Sequence, residues 1–307
     1  MRPRVSRNAR FLPVFLESRG GGVKLTKETS PERSKMDKTI QSTIELRNGV
    51  KIPYLGLGTY QAHGENVQKA VMYALNLGYS LIDTAQGYNN EIEVGKGCKD
   101  SGRPREEIFL TTKITTSNQG YQNTIQSFEK SLEDLQMDYV DLLLIHWPDR
   151  KNFERTVETW QALIDLKGKG LCRSIGVSNF NIELIEKLLE QINVMPLVNQ
   201  VEFHTFLYQK ELLDYSRENQ IQIEAYSPIA KGKFLDHDLL QKVAQKHGKT
   251  TAQVMLAWGI HHDLVVIPKS VHEERIKENA DIFFELDDED MHALDNVDFS
   301  KRLVEMK

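Results

Sequence analysis

Four polar side chains stand at or just beyond the ends of apolar stretches: Asp83 closes LID, Tyr88 follows five residues later, Lys113 ends IFLTTK and His146 ends LLLIH. A charged group finishing an otherwise apolar strand costs burial energy unless it is paired. Taken singly, each has an ordinary reading: Asp83 as a cap, Lys113 as a solvated strand end, His146 as a core histidine. Taken together on three strands, their types specify a chemistry. A free tyrosine has a pKa of ~10 and a free lysine ~10.4. An ammonium beside the phenol favours the phenolate and lowers the tyrosine pKa, and an aspartate beside the lysine keeps it charged. The expected product is a tyrosine that gives and takes a proton near neutral pH. His146 can donate a hydrogen bond to a substrate carbonyl and fix its orientation. Proton donation to a carbonyl then demands a hydride source, which side chains do not supply.

These residues need a scaffold that gathers strand ends. From Ile44 the chain becomes regular. TIELRNGVKIP alternates apolar and polar residues around Asn48-Gly49, a strong hairpin-turn pair. Short apolar runs follow at 54–58, 80–85, 108–113, 140–147, 172–179, 197–204, 221–227 and 264–270. Between them lie helix candidates, among them 65–76, 122–136, 156–169, 181–191, 208–219 and 273–283, with an acid-led helix near 287–295. Eight strands alternating with helices predict a parallel sheet in an α/β fold. Units of near-equal length, and a leading hairpin with no place in a doubly wound sheet, favour a (β/α)8 TIM barrel with an N-terminal β-hairpin capping the barrel bottom. In such a barrel the strand ends meet at the face where active sites are built.

Composition agrees with this and excludes other classes. The chain has 307 residues, 40% of them apolar, which suits one large barrel. A net charge of −5 gives no general attraction to nucleic acid or an anionic membrane. Cys98 and Cys172 are the only cysteines, too few for a disulfide scaffold and consistent with a reducing compartment. Residues 1–35 stand apart, with nine Lys/Arg against three Asp/Glu and a Gly20-Gly21-Gly22 run. This predicts a disordered basic N-terminal extension, either a transit peptide or, as the preferred reading, a segment upstream of a natural start at Met36. Residues 36–307 then form a single domain. A cytoplasmic location is expected, with organelle targeting by residues 1–35 as the alternative.

Other motifs fall short. Gly56-Leu57-Gly58 opens like a dinucleotide fingerprint, but Gln61 stands where the third glycine belongs. Gly248-Lys249-Thr250 ends like a P-loop, but Val243 occupies its earlier glycine position. His272-Glu273 lacks its partner histidine, the position holding Ile276, and no metal site is expected.

The strings LIDTAQGYNNEIEVG, the lysine of FLTTK, LLLIHWP, GVSNF, VNQVEFH, AYSP and IPKS followed by Arg275 and Glu278-Asn279 occur in the order of the aldo-keto reductases. The chain resembles that family from about residue 42 to 298. The resemblance implies NADPH-dependent reduction of aldehydes and reactive ketones. It makes Tyr88 the proton donor, with Lys113 lowering its pKa, Asp83 pairing Lys113 and His146 orienting the carbonyl. It implies that Ser178, Asn179 and Gln200 hold the nicotinamide carboxamide and that Tyr226 stacks on the ring. Gly58, Thr59 and Asp83 join the cofactor site, Ser227 and Ile229 follow the pyrophosphate, and Lys269, Ser270 and Arg275 bind the adenosine 2′-phosphate. Glu278 and Asn279 fall near the adenine. The substrate pocket is expected to use Tyr60, Tyr88, His146 and Trp147, with Phe180 as a further wall.

Two departures bear on substrate. Only about eight residues separate His146 from the next expected helix, and SKRLVEMK is a brief tail. Thr115 stands where many members place a tryptophan. The pocket should therefore be open, as in the branch resembling prostaglandin F synthases, diketogluconate reductases and methylglyoxal reductases. The expected form is a monomer acting on small-molecule carbonyls. The alternative is an NADPH-binding, redox-sensing subunit of a larger assembly, like potassium-channel β subunits.

Overall fold

The computed structural model describes residues 37–297 and 300–304; the expected basic extension, residues 1–35, lies outside them. Strands β1 (Thr43–Glu45) and β2 (Lys51–Pro53) pair antiparallel with Ile44 opposite Ile52. Gly49 takes φ 82° in the connecting turn, a conformation glycine adopts without steric cost. Eight parallel strands follow: β3 (Gly56–Gly58), β4 (Leu81–Asp83), β5 (Phe109–Ile114), β6 (Val140–Ile145), β7 (Cys172–Ser178), β8 (Val198–Glu202), β9 (Gln222–Tyr226) and β10 (Val265–Val266). Each pairs with the next in sequence. Parallel bridges from Leu55 to Val266 and from Gly58 to Lys269 close the first strand on the last. The fold is a (β/α)8 barrel.

Strand alternation divides its apolar residues into two sets. Leu81, Phe109, Leu142, Leu144, Val198, Val265 and Ile267 fill the barrel interior. Ile82, Leu110, Leu143, Ile145 and Val177 face outward and pack with the helices. The hairpin supplies Leu46 and Ile52 to the interior set, and both are buried. Arg47 donates to the carbonyls of Met195 and Asn219, and Asn48 to that of Arg173, each 3.0–3.1 Å away. All three acceptors lie at or before strand starts, so the hairpin caps the N-terminal end of the barrel.

The helices are α1 (Gly64–Leu77), α2 (Glu91–Asp100), α3 (Tyr121–Leu135), α4 (Phe153–Gly168), α5 (Ile182–Gln191), α6 (Lys210–Glu218), α7 (Asp238–His247), α8 (Thr251–His261), α9 (Glu273–Ala280) and α10 (Asp288–Asp295). Three of them, α2, α7 and α8, lie outside the windows read from the sequence. Helix α2 carries Gly95 and Gly97, poor helix formers. Packing requires them: a Cβ on Gly95 would stand 2.1 Å from the Leu135 carbonyl oxygen. Helix α8 is buried continuously from Gln253 to Ile260, so no polar face marks its period.

Candidate active site

The period-2 alternation that points Leu81 inward also points Asp83 inward, at the C-terminal end of β4. The same rule brings Lys113 in from β5. The Lys113 ammonium is fully buried and donates to Asp83 Oδ1 (2.7 Å), the Thr84 carbonyl (2.9 Å) and the Tyr88 hydroxyl (3.2 Å). Its three donors are thus matched to three acceptors. Tyr88 is placed by the short 3-10 turn Gln86–Tyr88, whose end is fixed by Asn89 in a left-handed conformation (φ 53°). The Tyr88 ring lies 5.1 Å from that of Tyr60 and 5.5 Å, edge-on, from that of His146. The four residues singled out from the sequence therefore meet at one place.

Their electrostatics follow from burial and from one another. Burial alone would depress Lys113, but Asp83 and Tyr88 carry it above its ordinary value. Burial raises Asp83 against the pull of Lys113 and of the Gln200 amide. Tyr88 departs from the sequence expectation. Lys113 does pull its pKa down, but burial is larger and the net direction is upward, so the phenol stays protonated at neutral pH. His146 is pushed down to about 3 by burial and by Lys113. It is a neutral imidazole with one N–H to donate.

Around this centre the proposed cofactor residues interlock. The Ser178 hydroxyl donates to the Gln200 carbonyl (2.8 Å). The Asn179 amide donates to the His146 carbonyl (2.9 Å) and accepts from the Tyr226 hydroxyl (2.8 Å). Thr59 is buried and its hydroxyl donates to the Asp83 carbonyl (2.9 Å). Asn179 and Ser227 hold left-handed φ values of 67° and 49°. Such strain gathers at functional sites. Lys269 bridges to Gly58 across the barrel seam, next to Ser270, and Arg275 sits in the first turn of α9. Among the described residues neither cation has an ion pair or hydrogen bond from its side chain. Both cations follow the last strand, and Lys and Arg side chains free of protein partners suit a dianionic phosphate. Further along α9, Glu278 accepts from Thr250 and Asn279 is buried, while Ile229 is half-buried in the loop after β9.

On the substrate side, Tyr60 is 52% exposed, at the mouth beside Tyr88. Trp147 is half-buried next to His146. Phe180 is not a wall: it is buried in the apolar layer between strands and helices with Ile185 and Leu188. It follows the inward-facing Ser178 by two residues, but the strand has already ended there. The segment after His146 is even shorter than expected, because α4 begins at Phe153.

The sequence reading missed two buried acids. Glu224 on β9 accepts from Gln200 (2.8 Å), and Glu202 on β8 receives the backbone N–H groups of Leu303 and Val304 (2.8 and 2.9 Å). The second contact lays residues 303–304 against the strand end beside Tyr226, the register partner of Glu202. Both acids interrupt apolar strands, the signal that marked Asp83 and Lys113.

Comparison with known proteins adds an independent line. The family model described as Aldo/keto reductase family matches residues 54–298. A glyoxal reductase of Bacillus subtilis is 47% identical over 270 residues, covering 87% of this chain and 97% of that protein. A crystal structure of an aldo/keto reductase from Brucella melitensis superposes with a TM-score of 0.80 at 45% identity, covering 83% of this chain and 98% of that one. A variant of Gox0644 crystallised in complex with NADPH gives a TM-score of 0.79 at 40% identity, covering 83% and 93%.

Proposed function

The chain belongs to the aldo/keto reductase family, and from that premise we propose that it reduces aldehydes and reactive ketones to alcohols with Tyr88 as the proton donor. It is an NADPH-dependent oxidoreductase acting on carbonyl groups. NADPH, when bound, supplies the hydride. The observation that carries the assignment of Tyr88 is the single buried ammonium of Lys113 touching both the Asp83 carboxylate and the Tyr88 hydroxyl.

In this reading Tyr88 gives its proton to the carbonyl oxygen as the carbonyl carbon is reduced. Lys113 stabilises the phenolate left behind, and Asp83 keeps Lys113 charged and aimed. His146, neutral, donates its N–H to the same carbonyl oxygen and sets its direction. Ser178, Asn179 and Gln200 hold the nicotinamide carboxamide, with Gly58, Thr59 and Tyr226 beside the ring. Ser227 and Ile229 follow the pyrophosphate. Lys269, Ser270 and Arg275 take the 2′-phosphate, with Glu278 and Asn279 near the adenine. Residues 36–307 act as one catalytic domain, a monomer in the cytoplasm. The free, buried Cys98 and Cys172 support a reducing compartment. No helix among the described residues is long and apolar enough to cross a membrane. The Bacillus subtilis and Brucella melitensis proteins described above bear reductase names, which supports the enzyme reading over the channel-subunit alternative.

The exposure of Tyr60 and the brief segment after His146 support an open pocket. An open pocket gains little binding energy from remote parts of a substrate, so reactivity should follow carbonyl electrophilicity. The test is NADPH consumption across a carbonyl panel. Glyoxal, methylglyoxal, phenanthrenequinone and nitrobenzaldehyde should all react, and unactivated ketones and steroids poorly. One substrate preferred over all activated carbonyls by more than about 10⁴-fold, the selectivity of a site with matched polar contacts, would contradict it.

A further inference from the structure

Glu224 lies in β9 as the register partner of Gln200 on β8. It is completely buried. Among the described residues no cation pairs with it, and its one hydrogen bond comes from Gln200 Nε2 to Oε2 (2.8 Å). Its other oxygen, Oε1, is buried with no partner. The same Gln200 nitrogen donates to Asp83 Oδ2 (2.8 Å). One side-chain amide is therefore forked between two carboxyl groups, and one of these belongs to the Asp83–Lys113 pair. Packing alone does not call for an acid here. Val198 and Val265, nearby on the flanking strands, belong to the apolar interior, and an unpaired buried carboxylate is costly.

The fork has a geometric consequence. Both amide hydrogens of Gln200 are committed to carboxyl oxygens, so only its carbonyl oxygen remains to be offered to a ligand. Resting on the reading above that Gln200 meets the nicotinamide carboxamide, we propose that Glu224 is a positioning residue for the cofactor: through Gln200 it fixes which face of that amide the nicotinamide meets.

The charged and titratable groups facing Glu224 are Asp83 from β4 and Lys113 from β5, with the Gln200 amide on β8. Burial raises Glu224 most, then Asp83, while Gln200 and Lys113 oppose them, and the outcome is about 8. Glu224 is therefore mainly the neutral acid at neutral pH. Above that range it ionises and adds a second negative charge beside Asp83. The oxidised nicotinamide ring is cationic and the reduced ring is not, so ionisation favours the oxidised cofactor.

Two substitutions and two binding measurements test this. E224L removes the acceptor and frees one Gln200 N–H; NADPH affinity, measured by fluorescence titration, should fall about tenfold, in keeping with a lost buried hydrogen bond. E224Q restores an acceptor without charge and should recover most of that loss. In the wild type, NADP+ affinity relative to NADPH should rise several-fold from about pH 6.5 to about pH 9, and in E224Q the ratio should stay flat. The 2′-phosphate is common to both cofactors and cancels from this ratio. Wild-type NADPH affinity in E224L overturns the proposal, as does an E224Q ratio that varies with pH as the wild type does. If E224L does not fold, the E224Q ratio still decides. Failure of the wild type to bind NADPH would instead overturn the proposed function, whereas normal wild-type binding and reduction with unaltered Glu224 variants would overturn this inference alone.

Discussion

At the scale of single residues, the site is a set of buried charges that stabilise one another. Lys113 and Asp83 are 0% and 2% exposed at 2.7 Å. Removing one partner leaves the other charge buried and uncompensated, at a cost of about 3–5 kcal/mol. Lys113→Met and Asp83→Asn should each show that loss in urea unfolding, and the double substitution should cost less than their sum. Additive losses would mean the pair is not coupled. Glu224 makes a separate prediction. Its folded-state pKa of about 8 lies above its ordinary 4.5, so the folded protein binds the proton more tightly than the unfolded chain. The stability this contributes is complete below the ordinary value and is lost as pH rises towards about 8. Thermal unfolding of the cofactor-free protein should track that decline, and E224Q should reduce it; an unchanged profile would place the titration elsewhere. The tetrad was legible in the sequence because Asp83, Lys113 and His146 break apolar strands. Glu224 breaks IQIEAYS in the same way. It went unread because no chemistry requires an acid at that position until its neighbour Gln200 is seen to fork.

At the scale of elements, strands and turns set where these residues point. The boundaries of α1, α3 and α5 lie within a residue of those read from the sequence, since their apolar positions recur at helical spacing. Helix α2 was hidden because contact overrides propensity: Gly95 and Gly97 lower its intrinsic stability but admit α3 and α1. Gly95→Ala would drive a methyl group into the Leu135 carbonyl. It should destabilise the fold by about 1–3 kcal/mol, read from denaturant midpoints; a neutral effect would show that α2 and α3 can separate freely. Arg275 belongs to this scale as well, since it sits in the first turn of α9. Arg275→Ala should erode the preference for NADPH over NADH by about 1.5–3 kcal/mol, the value of a charge-assisted hydrogen bond. Equal wild-type affinity for the two cofactors would remove the phosphate role from Lys269 and Arg275.

At the scale of the whole molecule, the barrel separates stability from chemistry. The hairpin closes one end with Leu46 and Ile52, while the polar layer of Asp83, Lys113, Gln200 and Glu224 occupies the other. Ile52→Ala should cost about 2–5 kcal/mol of stability and leave the kcat/KM for methylglyoxal unchanged, as the two ends do different work. The barrel was legible in the sequence from eight evenly spaced apolar runs and the Asn48-Gly49 hairpin. The placement of residues 303–304 on Glu202 was not, because a contact across about a hundred positions has no local period. The proposed mechanism rests on Tyr88 as the acid, held 3.2 Å from the buried Lys113 ammonium. The most direct measurement is single-turnover reduction of methylglyoxal by Tyr88→Phe loaded with NADPH, followed by nicotinamide absorbance. The ring and its packing remain while the proton is gone, so the rate should fall at least about 10²-fold with NADPH affinity near that of the wild type. A variant that keeps most of the wild-type rate would show that the proton comes from elsewhere.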